Sequence, residues 1–237
     1  MRIRHLFSLL IAGTMLSSAA YAQRRPLNMP EHDDKKYYFG LSFGTNFSTY
    51  RIRYTQSFAE NDTFMRIQPG FGPGALLGIM GNLRLTKFVD ARFIPSLVFC
   101  EKRIKILAND STGIEKAIGD KSVESIYMHL PLQLKFKSDR IRNFRFYGMV
   151  GYKFDIDLAA NARSRRTDEF LKVKPIDMGY EVGAGFEFFY PNFIFSPEIK
   201  ISQGLMNQQF KDSKIPLSNA IDALSTRMIV ISVHLEG

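Results

Sequence analysis

The feature that most constrains this chain is a pair of alternating segments between residues 123 and 158. In each segment apolar and polar residues follow one another with a period of two, and a short polar break at residues 138–143 separates them. This pattern predicts two antiparallel β-strands joined as a hairpin. The apolar positions are Ile126, Met128, Leu130, Leu132, Leu134 and Phe136 in the first strand, then Phe144, Phe146, Gly148, Val150, Tyr152, Phe154 and Ile156 in the second.

The two faces of this hairpin differ in polarity. One face is almost wholly apolar, whereas the other mixes unlike charges with Gly and Tyr. A soluble sandwich would bury the apolar face and leave the charges in water. Long strands with aromatic residues at the ends of the apolar face are instead typical of transmembrane barrels, whose apolar face meets lipid. We therefore predict a transmembrane β-hairpin with a polar lumen.

The beginning of the chain has the features of a secretory signal. Arg2 and Arg4 form a basic head, residues 6–16 form a short apolar run, and Ala20-Tyr21-Ala22 matches a cleavage site. An anchor helix is the alternative, but the run is too short to span a bilayer. The sequence thus predicts a signal peptide at residues 1–22, a loose periplasmic N-terminal arm at 23–36 and an outer-membrane barrel at 37–237.

Composition agrees with an exported membrane protein. Cys100 is the only cysteine, which excludes an intramolecular disulfide. The formal charge of +9 falls to about +7 when the two signal arginines are removed. A basic exported protein meets phosphates, so the predicted partners are outer-membrane lipid and lipopolysaccharide. Export excludes nucleic acid as a partner.

Six further alternating segments bring the predicted number of strands to eight. They are residues 37–47, 75–86, 89–100, 178–188, 193–202 and 227–235. An even number of strands predicts an all-β fold, an eight-stranded antiparallel up-and-down transmembrane barrel. The predicted connections alternate between short (86–87, 138–143, 190–192) and long (51–73, 102–122, 158–176, 204–226). This alternation predicts short periplasmic turns, long extracellular loops and both mature termini in the periplasm.

The predicted lumen carries nearly matched charges. Eight strands leave an interior only wide enough for side chains, and an unpaired buried ion costs several kcal/mol. We therefore predict that the interior is filled by ion pairs and is not a pore. The basic members are Arg84, Arg92, Lys135, Lys137, Arg145, Lys153 and Lys200, and the acidic members are Asp90, Asp155, Asp157, Glu181, Glu187 and Glu198.

Few residues suggest chemistry. The spacing of Asp155 and Asp157 could serve acid–base catalysis, but neutralisation of the lumen cations is the favoured interpretation. His129 and His234 lie on separate strands without a metal-ligand pattern. Cys100 has no catalytic neighbours in sequence, and we expect it to be inert near the barrel rim. The sequence predicts no catalytic residue, no cofactor and no metal site.

Basic residues cluster in one predicted loop. Arg163, Arg165 and Arg166 lie within the connection 158–176. They are either ordinary solvated loop charge or a contact for lipopolysaccharide phosphates or an acidic partner, which arginine forks bind well. The sequence leaves both interpretations open.

The hairpin also carries a family resemblance. The chain resembles the PorT family of outer-membrane barrels, which belongs to the type IX secretion and gliding-motility machinery. The residues that carry it are Tyr127, Leu130-Pro131-Leu132, Leu134-Lys135-Phe136-Lys137-Ser138, Arg140, Asn143, Arg145, Tyr147, Gly148, Gly151 and Phe154-Asp155-x-Asp157-Leu158. One departure from common bacterial barrels is the C-terminus, which ends Leu235-Glu236-Gly237 without a terminal aromatic residue.

The resemblance implies a function. It implies a non-enzymatic role in exporting cargo proteins, such as proteases or adhesins, across the outer membrane, with other secretion-system components as partners. Two alternatives remain at this stage. One is an adhesion or stress barrel that acts through its extracellular loops, and the other is an outer-membrane barrel enzyme.

Overall fold

The computed structural model describes residues 26–55, 66–109, 115–160, 172–211 and 221–237. Within these ranges no helix has the length and hydropathy needed to cross a membrane. The described elements are one short 3-10 helix, η1 (Pro30–Asp34), and nine strands: β1 (Tyr37–Tyr54), β2 (Arg66–Arg84), β3 (Val89–Phe93), β4 (Ser96–Asn109), β5 (Glu115–Lys137), β6 (Phe144–Asp157), β7 (Ile176–Phe189), β8 (Ile194–Gly204) and β9 (Ile221–Glu236).

The nine strands close into a ring with eight positions. Strands that are neighbours in the ring pair antiparallel, and β9 pairs back to β1, where Phe43 lies opposite Val233. β3 and β4 share one position, because both pair with β2 on one side and with β5 on the other. Pro95, between them, has no N–H to donate to the ladder, although its carbonyl oxygen still accepts the Ile79 N–H at 3.1 Å. The predicted eight-stranded antiparallel barrel is confirmed.

The outer surface of the ring is apolar, and the inner surface is polar. Along β6 and β7 exposed and buried residues alternate, and the exposed positions include Phe146, Val150, Val182 and Phe186. Leu132, within the apolar-outward part of β5, is 62 % exposed although it is fully apolar. In lipid, every backbone polar group must pair within the protein, and a closed ring does this while turning apolar side chains outward.

The two ends of the barrel differ. At the turn end the connections are residues 85–88, 138–143 and 190–193, and β1 begins and β9 ends there. At the loop end the connections are residues 55–65, 110–114, 158–175 and 205–220. Two predicted long loops, 51–73 and 102–122, are wrong in extent, because β1, β2, β4 and β5 continue through most of those residues.

The strand extensions at the loop end have reversed polarity. Tyr50, Ile104 and Leu224 are buried inside the ring there, while Arg53 and Arg103 are exposed on its outside. An apolar interior with charges outside is the arrangement of a barrel surrounded by water. The wall therefore extends beyond the apolar band, and this reversal of polarity explains why an apolar-outward pattern does not detect the extensions.

Glycine makes room for long side chains inside the ring. A Cβ atom added to Gly185 on β7 would lie 2.5 Å from the hydroxyl oxygen of Tyr147. Tyr147 is buried and donates a hydrogen bond from that hydroxyl to Glu198 at 2.9 Å. A narrow barrel can hold such a long side chain only where the neighbouring inward residue has no side chain.

Candidate functional site

The middle of the interior is organised around a buried guanidinium. Arg92 Nη2 contacts Glu198 Oε2 at 2.5 Å, and both side chains are fully buried. Arg92 Nε donates to Gln133 Oε1 at 2.8 Å, and Gln133 Nε2 donates to Glu181 at 2.7 Å. Lys200 completes this layer at 3.0 Å from Glu181. The layer is a continuous polar bridge across the lumen.

Gly151 makes this bridge possible. Gln133, Gly151 and Glu181 occupy adjacent positions on β5, β6 and β7. A Cβ at Gly151 would lie 2.6 Å from Gln133 Cγ, so any side chain there would block the amide. Because β6 contributes no side chain at this level, Gln133 reaches past it to the carboxylate on β7.

A second group lies nearer the loop end. His129 Nδ1 is 2.5 Å from Asp155, and its Nε2 is 3.3 Å from Glu181. Lys153 lies 2.6 Å from Asp155 and 3.4 Å from Asp177. His129, for which the sequence pattern indicates no role, therefore belongs to the ion-pair network.

Lys135 does not pair with the acid that lies directly opposite it in the ladder. Lys135 lies opposite Asp90 in the β3–β5 ladder, but Asp90 is occupied by Lys137 at 2.6 Å and by the Tyr38 hydroxyl at 2.7 Å. Lys135 pairs instead with Glu187 and, at 3.5 Å, with Glu236. Neither Asp155 nor Glu181 is its partner.

Three placements differ further from the sequence analysis. Asp157 makes no ion pair within the described ranges, and its Oδ1 accepts the Ala159 N–H at 3.0 Å. Glu236 was overlooked, although continued alternation in β9 places it inward. Cys100 is buried in the interior rather than at the rim, in an apolar cluster with Leu76 and Tyr127.

Lys102 is an interior cation that the sequence analysis assigned to a loop. Its Nζ is buried and donates to the Tyr127 hydroxyl at 2.9 Å and to Ser125 Oγ at 3.2 Å. The same ammonium group lies 5.1 Å from the centre of the Tyr50 ring, a cation–π distance. The period-two pattern, extended past Cys100, would have placed it inside.

The loop end of the lumen is closed by apolar packing. Beyond Lys102, a cluster of buried side chains fills the ring. Its members are Tyr50, Ile67, Ile104, Val173, Ile221 and Leu224, with Ile52, Ile106 and Val123 packed against them. This apolar plug leaves the ion-pair network without a route to water at that end through the described part of the wall.

The turn end is closed by the N-terminal arm. Residues 26–36 were expected to be loose, but η1 places His32 inside the ring, where only 2 % of it is exposed. The His32 ring packs edge-on against Tyr38, with centroids 4.6 Å apart. Burial, assisted by the nearby Arg84 guanidinium, lowers the pKa of His32 to about 4.

The arm is held by the β5–β6 turn. Asp33 lies 2.6 Å from Arg145 Nη2 and 3.2 Å from Arg140 Nη1. Although burial alone would raise it, these two guanidinium groups hold the pKa of Asp33 below its ordinary value. Arg140 also donates to the Asn28 carbonyl oxygen, and Asn143 Oδ1 accepts the Asn28 N–H at 2.9 Å. Arg140, Asn143 and Arg145, which belong to the PorT-like motif, thus form a clamp on the arm.

Ser232, His234 and Glu198 meet in the interior, but their geometry is not that of a catalytic triad. Ser232 Oγ lies 3.4 Å from His234 Nε2, and Glu198 lies 3.5 Å from the same nitrogen. A catalytic triad needs the serine and the acid on opposite ring nitrogens, with the serine accessible to substrate, but Ser232 is 2 % exposed. The described residues also contain no group of His, Cys, Asp and Glu able to hold a metal ion.

Basic side chains surround the outside of the loop end. Arg163, Arg165 and Arg166 lie outside the described residues. On the described wall, Arg51, Arg53, Arg103 and Lys105 are exposed beyond the apolar band. Two of them are paired with acids, Arg53 with Asp222 at 2.8 Å and Arg103 with Glu101 at 2.9 Å.

Comparison with known proteins gives one family and several similar folds. No curated protein sequence matches the chain. The chain is similar to the N-terminal β-barrel domain of Pseudomonas aeruginosa OprF, with 15 % identity, a TM-score of 0.42, and 86 % of this chain and 98 % of that chain covered. The chain is also similar to the outer membrane protein OprG from the same organism, with 11 % identity and a TM-score of 0.43. This match covers 83 % of this chain and 94 % of that chain. For Neisserial surface protein A the identity is 10 % and the TM-score 0.41, with 83 % of this chain and 95 % of that chain covered.

The family match spans most of the sequence. The model of the outer membrane protein beta-barrel domain matches residues 21–208. This range contains the arm and the strands from β1 to β8. The chain therefore belongs to the outer membrane protein beta-barrel domain family, and its membrane is the outer membrane.

Proposed function

We propose that this outer-membrane barrel is a non-enzymatic component of the type IX protein-secretion apparatus, as its resemblance to PorT implies. The observation that carries the proposal is the clamp. The motif residues Arg140, Asn143 and Arg145 fix the N-terminal arm across the turn end. A fixed surface at that end suits the docking of other secretion components in the periplasm.

The filled interior supports a structural role over conduction. Charged side chains pair inside the lumen in the described ranges, across it in Arg92–Glu198 and between neighbouring strands in Lys200–Glu181. Breaking such buried pairs costs roughly 3–5 kcal/mol each. Cargo would therefore pass through other components, and this barrel would anchor or organise them.

A non-enzymatic role fits the same geometry. The carboxylates whose spacing is compatible with acid–base chemistry are already neutralised, as Asp155 is by His129 and Lys153. Their burial also removes them from any substrate in the described part of the barrel.

The basic loop end favours a second candidate, an adhesion or stress barrel. Exposed Arg51 and Lys105 on the extended wall would meet lipopolysaccharide phosphates or an acidic partner. In that case the loop end, rather than the clamp, would carry function.

Gene deletion followed by analysis of the secreted proteome tests the proposal. We expect cargo proteins to disappear from the medium and cell surface, and to return when wild-type protein is supplied. The clamp variant Arg140→Gln should fail to restore export, while Arg51→Gln with Arg53→Gln should restore it. Heat-modifiable gel migration must first show that both variants fold.

Two other outcomes would decide against the secretion role. Normal export in the deletion strain would contradict it outright. Normal export together with reduced binding to anionic surfaces, reproduced by Arg51→Gln with Arg53→Gln, would favour the second candidate.

A further inference from the structure

A groove lies on the outer wall at the loop end of the barrel. It has a volume of about 540 Å³ and is bounded by β1, β9 and the segment that follows β8. Its floor is β9, where Ala223 and Ser225 alternate with the fully buried, inward Leu224 and therefore point outward. Both outward side chains are small, so the wall is depressed between the longer side chains on either side.

One side of the groove is basic. Arg51 lies opposite Ser225 in the β1–β9 ladder, and Arg53 lies two residues further along β1. Arg51 is exposed and makes no hydrogen bond or ion pair with another described residue. Arg53 contacts Asp222 at 2.8 Å, but the two side chains are 75 % and 43 % exposed, and an exposed pair of this kind is weak. No acidic side chain of the described ranges lines the groove.

The other side of the groove is apolar. Leu205 and Met206 follow the end of β8, and their side chains are exposed. Hydrogen bonds fix this segment against β9. The Leu224 N–H donates to Asn207 Oδ1 at 3.0 Å, and the Leu224 carbonyl oxygen accepts the Gln208 N–H at 2.8 Å. The apolar side is therefore held in place by the barrel wall.

The groove lies directly above the apolar band. Along the outer face of β9, Ser225 is followed toward the turn end by exposed Arg227 and then by exposed Ile231. On β1 the outer face changes from Arg51 to exposed Phe47. The headgroups of a bilayer lie just outside its hydrocarbon core, so the groove is at headgroup depth.

We propose that the groove binds the phosphorylated headgroup of a glycolipid, with a phosphate on Arg51 and an acyl chain against Leu205 and Met206. A guanidinium without another acceptor matches phosphate oxygens bidentately. A free phosphate would leave the apolar side in water. The volume of about 540 Å³ exceeds what one phosphate needs and suits a sugar phosphate.

The glycolipid that fits is lipopolysaccharide, because the loop end is predicted to face outward. This assignment rests on the outer-membrane location and on that orientation. It gives the second candidate function a specific contact, yet it applies equally to a secretion component. The export assay is a separate measurement, in which Arg51→Gln should restore secretion although it weakens lipid binding.

Native mass spectrometry of the detergent-solubilised protein tests the site. The probes are the phosphorylated lipid A of lipopolysaccharide, the same lipid after enzymatic removal of its phosphates, and phosphatidylglycerol. We expect the wild type to retain phosphorylated lipid A more strongly than the other two lipids. Arg51→Gln should reduce this retention about fivefold, the change expected for one exposed charge contact. Leu205→Ser, on the apolar side, should reduce it as well.

The matched control is Lys105→Gln. Lys105 is an exposed cation on β4 that does not line the groove, so its loss should leave retention unchanged. Heat-modifiable gel migration shows whether each variant is folded. Equal losses in Arg51→Gln and Lys105→Gln would indicate diffuse charge and overturn the proposal. Equal retention of phosphorylated and dephosphorylated lipid A, or stronger retention of phosphatidylglycerol than of lipid A, would overturn it too.

Discussion

Asp33 of the N-terminal arm and Arg145 of β6 lie 2.6 Å apart, although 112 residues separate them in the chain. This contact joins the N-terminal arm, which is not one of the strands, to the wall of the ring. Arg145 also lies 3.4 Å from Glu187, so the arm is connected through it to the interior ion pairs. The closure of the turn end and the charge network of the lumen are therefore one arrangement.

Docking of the arm should depend on pH through His32. The pKa of His32 is lowered from 6.5 to about 4 in the docked arm, so the docked imidazole is neutral. In an undocked arm, the His32 imidazole takes up a proton as the pH falls below its ordinary pKa of 6.5. The contribution of His32 to docking is therefore fully present above pH 6.5. It is lost as the pH falls toward 4, and the loss is at most roughly 3 kcal/mol. The lowered pKa of Asp33 acts only at still lower pH.

A spin label on the arm would measure this effect. Leu27 is 49 % exposed, so Leu27→Cys in a Cys100→Ser background gives one accessible label site. We expect the label to become more mobile as the pH is lowered from about 7 to about 4.5. His32→Phe keeps the ring contact with Tyr38 and should remove the dependence. Unchanged mobility of the wild type over this range would contradict the docking role of His32.

Loss of Lys135 should be rescued by a specific acid. Lys135→Met leaves Glu187 and Glu236 without the cation they share, at a cost of roughly 3–5 kcal/mol. Glu187 keeps Arg145, so adding Glu236→Gln should restore most of the stability. Asp155→Asn should not, because Asp155 pairs with His129 and Lys153. Urea midpoints, read by heat-modifiable gel migration, would measure this, and equal rescue by both changes would refute the pairing.

Leu132→Arg should destabilise the barrel for a different reason. Leu132 faces outward within the apolar band of β5, where an arginine near the bilayer midplane costs about 2–4 kcal/mol. No acid-to-amide change in the lumen should compensate. Leu158, exposed past the end of β6, provides the depth control, and Leu158→Arg should fold normally. Equal folding of Leu132→Arg and wild type would show that this face does not meet lipid.

Much of this architecture follows from the period-two pattern. The pattern places Leu132 outside and Lys135 inside because alternation along a strand is strict. It also yields the eight positions of the ring. It misses the full length of β1 and β4, because beyond the apolar band inward residues such as Tyr50 and Ile104 are apolar and the polarity of the two faces reverses.

Partners inside the lumen are harder to predict than faces. Sequence alternation places Lys135 inside, but its choice of Glu187 over Asp90 depends on which groups Lys137 and Tyr38 already occupy. Competition of this kind is a property of the closed ring and has no local signature. The docked arm is a similar case, since its contacts with Arg140 and Arg145 span more than a hundred residues.

Orientation in the membrane gives a further prediction. If the turn end faces the periplasm, tags inserted at residues 163–166 should be cleaved by protease added to whole cells. Tags at Asp139, in the β5–β6 turn, should be cleaved only after the outer membrane is opened. Surface access at Asp139 would reverse the predicted orientation.

Single-channel recording in planar bilayers tests the central claim, that the barrel is closed and filled, most directly. Wild-type protein should show no stable conductance, because the arm, the Arg92–Glu198 layer and the apolar plug at Tyr50 and Ile104 block the lumen in series. Removing the arm alone, by deletion of residues 26–36, should leave the other two blocks in place and still give no steady channel. A large, steady conductance from the wild-type protein would contradict the account.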